Sequence, residues 1–259
     1  MNSEKLISVI MAAYNSDSYL AECIESIRAQ TYPNWELIIC DDASTDNTLT
    51  IAKHYESIDS RIKVIHNDHN LRAGTSRNKC IELCKGDYIA IQDADDISNP
   101  NRLLLLLRKI QEEKTDFVSC AHYLFDDNGR YADYIPKEEF PTKRSFLSGM
   151  PFCHAATLFT KACLTNVNGY RVSQHTVRNE DYDLFMRLYA KGYKGCNLLD
   201  ILYGYRVDKA TKRRRTFRFR IDECIIRAEG FRKMGILYPF GWIYIFRPLV
   251  AHLYQIIKR

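Results

Sequence analysis

The chain contains 259 residues, of which 46% are hydrophobic, and it carries a formal net charge of +5 at pH 7. This composition excludes a disordered chain, and the length allows one main domain with an appendage. Nine scattered cysteines without a CxxC pair predict reduced, structural thiols in a cytosolic protein. The N-terminus lacks the basic and hydrophobic segments of an export signal, so no export is expected.

Short apolar runs alternate with segments of helical spacing in the first hundred residues. The predicted strands are Leu6–Met11, Trp35–Cys40, Arg61–Ile65 and Tyr88–Gln92, and the predicted helices are Ser18–Gln30, Thr48–Tyr55 and Ala73–Cys84. This alternation is typical of an α/β fold with a parallel sheet and helical crossovers. Ligands bind to such sheets outside the carboxyl ends of the strands.

The second half of the chain is less regular. Its predicted elements are a leucine-rich helix at Pro100–Glu113, strands at Phe117–His122, Ala155–Thr160 and Cys196–Tyr205, and a helix at Asp181–Lys191. Residues 124–150 are predicted to be loop. From Gly235 onward the chain is apolar and aromatic.

Three carboxylates, Asp93, Asp95 and Asp96, follow the predicted fourth strand. Asp is depleted from strands and is almost never buried unpaired, so packing alone rarely explains such an ending. Carboxylate oxygens suit Mg2+ or Mn2+, with water and substrate phosphates at the remaining positions. The alternative is an Asp-rich cap of the helix that begins near Pro100. Tyr14 and Asp42 follow two other strands at the same expected edge.

Five motifs carry a resemblance to a known family: Ser8–Asn15, Gln30–Asp46, Asn70–Asn78, Gly86–Asp96 and Asn179–Leu184. In their order and spacing, over roughly residues 6–208, the sequence resembles the inverting glycosyltransferases of family 2. The resemblance implies a GT-A fold over residues 1–208, with a nucleotide-sugar half (1–100) and an acceptor half (101–208). Residues 209–259 would then form a basic and aromatic C-terminal extension.

The resemblance implies a nucleotide site formed by Ala12, Tyr14, Asp42, Arg77, Asp93 and Ala94. Tyr14 would pack against the base, and Asp42 would accept an N–H of the base, such as the uracil imide. Arg77 would lie near the phosphates. The alternatives are a core tyrosine at position 14 and a solvated helix face for Arg77.

The resemblance also implies a metal site and a catalytic base. Asp95 resembles the metal ligand, with Asp93 beside it at the ribose or at metal-bound water. Asp181 matches the base that takes the proton from the acceptor hydroxyl, and the adjacent Glu180 can raise its pKa. The alternative is that Glu180 and Asp181 form only an acidic first turn of a helix.

The sequence allows two interpretations for each of two further residues, Arg187 and His154. Arg187 either holds the diphosphate or pairs with Asp183. His154 either contacts a donor or acceptor sugar or is an ordinary hydrogen-bonded histidine.

The sequence departs from the family pattern at three places. Ala12-Ala13 stands where many relatives have Pro, and Arg72 occupies the usual glycine position of the third motif. Asp208 replaces a metal-binding His, and its oxygens can still ligate Mg2+ or Mn2+. No Gln-x-x-Arg-Trp motif is present, which favours single addition over polymerisation.

The C-terminal extension has two features that indicate contact with a membrane surface. Six cations lie close together: Lys212, Arg213, Arg214, Arg215, Arg218 and Arg220. The aromatic tail contains Pro239, Arg247, Pro248 and His252, which disfavour a simple membrane span. We therefore expect a helix in the membrane interface, with an apolar face of Leu249, Val250, Leu253, Ile256 and Ile257. The alternative is packing on the catalytic domain or on a second copy of the chain.

The resemblance implies an inverting transferase that moves one sugar from a nucleoside diphosphate sugar, with UDP favoured, to a glycan or lipid-linked hydroxyl. The cofactor would be Mn2+ or Mg2+, and the pathway would be bacterial O-antigen or capsule synthesis. The expected location is cytoplasmic, at the inner face of the cell membrane. The alternative is a non-catalytic sugar-nucleotide scaffold or sensor. A nucleic-acid partner is not expected, because the basic patch is short.

Overall fold

Strand β1 (Ile7–Ala13) is buried along most of its length and is central to the first half of the sheet. The computed structural model describes residues 5–207 and 217–251. In it, β1 pairs in parallel with β2 (Trp35–Asp41) and with β4 (Tyr88–Ile91). Strand β2 pairs in parallel with β3 (Ile62–His66). Near-continuous apolar runs such as those of β1 and β2 are typical of strands covered on both faces.

Three helices cover this parallel half: α1 (Asp17–Arg28), α2 (Thr48–Ile58) and α3 (Arg72–Leu83). The apolar face of α1 buries Leu20, Cys23, Ile24 and Ile27. The predicted alternation of strands and helices is confirmed. Because β1, β2 and β4 are parallel, their carboxyl ends meet at one edge of the sheet, and the polar residues that follow them meet there too.

The second half extends the same sheet with strands in both directions. Its strands are β5 (Ile97–Ser98), β6 (Phe117–Asp126), β7 (Gly129–Tyr134), β8 (Leu158–Thr160) and β9 (Gly195–Arg206), and its helices are α4 (Arg102–Glu113), α5 (Lys161–Asn166) and α6 (Glu180–Ala190). The sheet order is β3-β2-β1-β4-β8-β6-β9-β5, with β7 paired to β6. Strands β6 and β9 pair in parallel, and the other pairs of this half are antiparallel. Strand β8 is antiparallel to both β4 and β6, so it joins the two halves.

The prediction that residues 124–150 form a loop is wrong in part. Strand β6 continues to Asp126, and β7 returns beside it from Gly129. Strand β7 is mostly exposed, so its sequence lacks the apolar alternation that predicts a strand. A 3-10 turn also forms at Lys143–Leu147. The strand predicted at Ala155–Thr160 is shorter than expected, because a 3-10 turn ends at Ala156.

Helix α7 (Phe217–Met234) packs along α6, and the short helix α8 (Gly241–Ile245) follows it. Ile226, Phe231 and Met234 of α7 belong to the same core as Phe185 and Leu188 of α6. The two helices approach closely at Gly230, where an added Cβ would lie 2.3 Å from the Met186 sulfur. Within the two described ranges, no helix is long and apolar enough to cross a membrane. Of the predicted interfacial face, Leu253, Ile256 and Ile257 lie outside the described residues.

Arg102 of α4 is fully buried, and it fixes the end of β4. Its guanidinium donates to the carbonyls of Ile91 (3.0 Å) and Ala155 (3.3 Å) and to Oε1 of Gln92 (3.0 Å). These bonds satisfy acceptors that would otherwise be buried without a donor. They hold the chain at the point where it leaves β4 for Asp93.

Candidate functional site

A cavity of about 650 Å³ opens at the carboxyl edge of the parallel strands, and we call it the donor cavity. Its lining includes all six positions expected at the nucleotide: Ala12, Tyr14, Asp42, Arg77, Asp93 and Ala94. Asp95 lines it as well. The volume is within the usual range for a small-molecule site. The structure thus brings together residues that are distant in the sequence.

Tyr14 directly follows β1 and presents an exposed ring, with 48% of its surface accessible. This excludes the alternative of a core tyrosine. The next residue, Asn15, has φ +50°, and its Oδ1 accepts the backbone N–H of Thr45 (2.9 Å). The turn after β1 is therefore tied to the loop after β2, which sets the position of the Tyr14 ring at the cavity.

Asp42 is only 3% exposed, and three donors already surround its carboxylate. Oδ1 accepts the Asn67 side-chain amide and the Leu71 N–H, and Oδ2 accepts the Arg72 N–H, each at 2.8 Å. Arg72 has φ +73°, so these bonds hold a strained turn. By the count of lone pairs, Oδ2 of Asp42 retains room for one further donor. Arg72 itself is exposed at the cavity.

Arg77 is a buried ion-pair centre and not a solvated residue, so that alternative is wrong. Its guanidinium donates to Oδ1 of Asp93 (2.6 Å) and to Oε1 of Glu180 (3.4 Å), and it lies 5.7 Å from the centre of the Tyr170 ring. Burial disfavours the charge of Arg77, but Asp93, Tyr170 and Glu180 together raise its pKa above the ordinary range. Arg77 is thus engaged by carboxylates at the cavity wall.

The carboxylates after β4 crowd negative charge into a small volume. Asp96 is 1% exposed, and its Oδ1 accepts the backbone N–H of Arg206 (2.7 Å). Burial, with Asp95 and Asp93 nearby, raises the pKa of Asp96 well above its usual range. For Asp93, burial acts in the same direction, but Arg77 outweighs it and lowers the pKa.

Asp93 and Asp95 both line the donor cavity. Their carboxylate oxygens are the ligands that a hard divalent cation prefers. Across the described part of the chain, no cluster of three or more His, Cys, Asp or Glu side chains could hold a metal ion. Such a cation would therefore depend on few protein ligands and on the diphosphate of a substrate. The further predicted ligand, Asp208, lies outside the described residues.

A second cavity of about 500 Å³ contains Asp181, and we call it the acceptor cavity. Asp181 lies in the first turn of α6, and its Oδ1 accepts the N–H of Tyr182 (2.7 Å). Burial, followed by the charge of Glu180, raises the pKa of Asp181 to about 7. A carboxylate with a pKa near the operating pH is suited to general base chemistry.

The two cavities are neighbours. Arg178, Glu180 and Tyr205 line both of them. Sequence reasoning did not single out Arg178 or Tyr205, and the one available signal was that Arg178 directly precedes the motif at Asn179. Arg178 has φ +64°, a conformation that costs free energy in a residue other than glycine and that clusters at functional sites.

His154 and Arg187 line neither of these two cavities. Nε2 of His154 lies 2.7 Å from the Tyr170 hydroxyl, and burial lowers the pKa of His154 to about 3, so it is neutral at pH 7. Arg187 donates to Oδ2 of Asp183 (2.6 Å) and to the carbonyls of Val167 and Gly169. Arg187 therefore pairs with Asp183 and holds a loop against α6. These contacts give it a structural role and not that of a diphosphate ligand.

Comparison with known proteins gives the same family as the motifs. Residues 8–164 match the sequence model of glycosyl transferase family 2. EpsE of Bacillus subtilis (strain 168), which is named a glycosyltransferase, is 41% identical over 254 residues that cover 96% of this chain and 90% of EpsE. WfgD of Escherichia coli is named a UDP-Glc:α-D-GlcNAc-diphosphoundecaprenol β-1,3-glucosyltransferase. It is 27% identical over 253 residues, which cover 98% of this chain and 91% of WfgD.

Among solved structures, residues 1–349 of S. aureus TarS in complex with UDP-GlcNAc have the same fold. The TM-score is 0.70 at 22% sequence identity, and the match covers 89% of this chain and 71% of that chain. The predicted GT-A architecture, an α/β domain with a central sheet flanked by helices, is thereby confirmed. On its sequence match and its fold, the chain belongs to glycosyl transferase family 2 and is a glycosyltransferase.

Proposed function

We propose that the chain transfers a single sugar from a nucleoside diphosphate sugar, best a UDP-sugar, to a hydroxyl group of a glycan or lipid-linked acceptor. Transfer proceeds with inversion and serves the synthesis of a bacterial surface polysaccharide. The observation that carries this proposal is the shared wall of the two cavities. Glu180 contributes to both, so the carboxylates at the donor and the base at the acceptor border one space.

The nucleotide half of the chain holds the donor in this proposal. The exposed ring of Tyr14 stacks on the base, and the remaining lone pair of Asp42 accepts the imide N–H. A UDP-sugar fits this pair, and the solved complexes of TarS with UDP-GlcNAc and with UDP support the choice of nucleotide. Arg77 acts indirectly, by fixing Asp93 and Glu180 in place.

A divalent cation, Mn2+ or Mg2+, is part of the proposal, with Asp95 and Asp93 as its protein ligands and Asp208 as a further predicted one. When bound, the ion supplies charge neutralisation on the leaving diphosphate. The crowding of Asp93, Asp95 and Asp96 supports this assignment, because a cation relieves their mutual repulsion.

Asp181 then acts on the acceptor. Its carboxylate takes the proton of the acceptor hydroxyl, and the oxygen attacks the anomeric carbon as the bond to the diphosphate breaks. Attack from the side opposite the leaving group inverts the configuration. A pure sugar-nucleotide sensor would not need a half-buried carboxylate with a pKa of about 7, which speaks against the scaffold alternative. The acceptor named for WfgD, a sugar on diphosphoundecaprenol, supports a lipid-linked substrate.

The exposed aromatic residues near α8 support a second part of the proposal, contact with an anionic membrane surface. We call this the aromatic segment: Tyr238, Phe240, Trp242, Ile243, Phe246 and Val250, all of them exposed. The exposed surfaces of these side chains are not covered by the catalytic domain. Arg232, Lys233 and Arg247 provide nearby positive charge. Aromatic residues beside cations are typical of proteins that lie in a membrane interface, which supports a location at the cytoplasmic face of the membrane.

The first prediction concerns the pH dependence of transfer. Since Asp181 must be ionised to act as a base and its pKa is about 7, kcat/KM should rise about tenfold per pH unit below that value and level off above it. Steady-state rates between pH 5 and 9 measure this. Asp181→Asn should lose transfer by at least about 100-fold while retaining UDP binding. A folded Asp181→Asn variant that has lost UDP binding would contradict the role of base.

The same pKa predicts an effect on stability. The folded state raises the pKa of Asp181 from 3.8 to about 7, so the stability that its protonated form provides is complete below the unfolded value and is lost as the pH rises through 7. Asp181→Asn should therefore show a gain in Tm over the parent that increases between pH 4 and pH 7. A gain that is independent of pH would argue against a buried, ionising Asp181.

A second prediction concerns the metal. Asp95→Ala should weaken UDP binding by about tenfold or more when Mn2+ is present, and should have little effect in EDTA, because the lost group acts through the ion. Calorimetric titration of UDP under both conditions measures this. Asp68→Ala, which removes an exposed carboxylate of the nucleotide-sugar half, is the matched control. Equal weakening with and without Mn2+ would rule out Asp95 as a ligand.

The third prediction concerns the membrane contact. Phe240→Ala combined with Trp242→Ala should reduce binding to vesicles containing phosphatidylglycerol by about tenfold or more, since two aromatic side chains leave the interface. Vesicle co-sedimentation measures it, and Tyr131→Ala, an exposed aromatic on β7, is the control. Undiminished vesicle binding, or a dimer that the double variant dissociates, would instead assign the segment to another surface.

A further inference from the structure

The acceptor cavity has a cationic wall that the chemistry of Asp181 does not require. Phe219, Arg220 and Arg227 of α7 line it, together with Arg178 from the loop before α6. The carboxylates facing the same space are Glu180, Asp181 and Glu223. A neutral sugar acceptor needs hydrogen-bonding groups in such a cavity but does not need several guanidinium groups.

Arg220 is the residue of this wall with unused hydrogen-bonding capacity. It is 7% exposed, and one terminal NH2 group donates to Glu223 at 3.3 Å. Its Nε is buried and has no hydrogen-bond partner among the residues that the structure describes. A buried guanidinium N–H without an acceptor costs free energy in the protein alone. That cost falls when a ligand with oxygen acceptors occupies the cavity.

The other two arginines have different positions. Each nitrogen of Arg227 donates a hydrogen bond within the protein, to the Tyr244 carbonyl, the Tyr182 hydroxyl and the Leu147 carbonyl. It also shares Glu223 with Arg220. The guanidinium of Arg178 lies over the Phe219 ring, 5.1 Å from its centre, at the boundary with the donor cavity. Arg227 therefore builds the wall, and Arg220 is the buried arginine of this cavity whose Nε lacks an acceptor among the residues that the structure describes.

We infer that Arg220, assisted by Arg178, binds a phosphate or diphosphate group carried by the acceptor. This inference rests on the proposed function and specifies its acceptor class. Guanidinium groups bind phosphate oxygens through paired, charge-assisted hydrogen bonds. The acceptor sugar then lies between this group and Asp181, so that its free hydroxyl, and not its phosphate, meets the base. Glu180 and Asp181 disfavour a phosphate at the other end of the cavity by repulsion.

The surroundings of the cavity favour a lipid-linked group over free phosphate. Gly149 and Met150 line the acceptor cavity, and the adjacent carbonyl of Ser148 accepts a hydrogen bond from Arg247. Leu147 packs against Gly241 at the start of α8. The part of the chain that carries the aromatic segment therefore contacts the residues directly before those that line the cavity. This suits an acceptor whose diphosphate is held by protein while its chain stays in the membrane.

Direct binding tests this inference without requiring turnover. The full chain is titrated calorimetrically with undecyl diphosphate, undecyl β-glucoside and inorganic phosphate, first alone and then with saturating UDP and Mg2+ to fill the donor cavity. We expect undecyl diphosphate to bind most tightly. Arg220→Gln should weaken its binding about tenfold or more, because charge-assisted hydrogen bonds are lost. Arg220→Lys should weaken it less, and binding of the glucoside should not change.

Arg218→Gln is the matched control, since Arg218 is an exposed arginine two residues earlier in the same helix. It should bind undecyl diphosphate as the parent does, and UDP binding should be equal in all four proteins. Equal losses for undecyl diphosphate and the glucoside, or inorganic phosphate binding as tightly as undecyl diphosphate, would overturn the assignment. A parent that binds UDP but not undecyl diphosphate would overturn this inference alone. A parent that binds undecyl diphosphate but not UDP would overturn the proposed donor and leave this inference standing.

Discussion

The site depends on a buried guanidinium. Arg77 reaches Asp93, which follows β4, and Glu180, which begins α6, and it is 7% exposed. Removing one partner from a buried ion pair is costly, by about 3–5 kcal/mol, so the three charges hold one another in place. Arg77 and Glu180, which are 103 residues apart in the chain, are thereby fixed side by side. This contact fixes Glu180, which lines both the donor cavity and the acceptor cavity.

The remaining architecture supplies each side of that boundary. The parallel strands bring Tyr14, Asp42 and Asp93 to one edge, and Arg102 fixes the end of β4 from within the core. On the other side, α7 packs on α6 and closes the acceptor cavity around Asp181. The low accessibility that results, together with Glu180, raises the pKa of Asp181 to about 7. A carboxylate in a solvated first turn of a helix would be a weaker base.

The nucleotide half could be predicted from the sequence because each strand there is a buried apolar run that ends in polar residues. The second half was harder to predict for physical reasons. The edge strand β7 is mostly exposed. It has no buried face that would give its sequence an alternation of apolar and polar residues. Helix α7 buries Arg220 and Arg227 while exposing Phe217 and Ile221, which reverses the usual apolar pattern. The pairing of Arg77 with Glu180 depends on tertiary contact alone, so local spacing could not reveal it.

The central claim is that Asp181 activates the acceptor hydroxyl for one displacement at the anomeric carbon. The most direct test is the anomeric configuration of the product, read from proton NMR coupling constants after transfer from a UDP-sugar whose sugar is α-linked to the diphosphate. The account predicts a β-linked product, because a single attack opposite the diphosphate inverts the centre. An α-linked product would require either two displacements with a protein nucleophile or attack on the same face as the departing diphosphate, and it would contradict a single displacement opposite the diphosphate with Asp181 as the base.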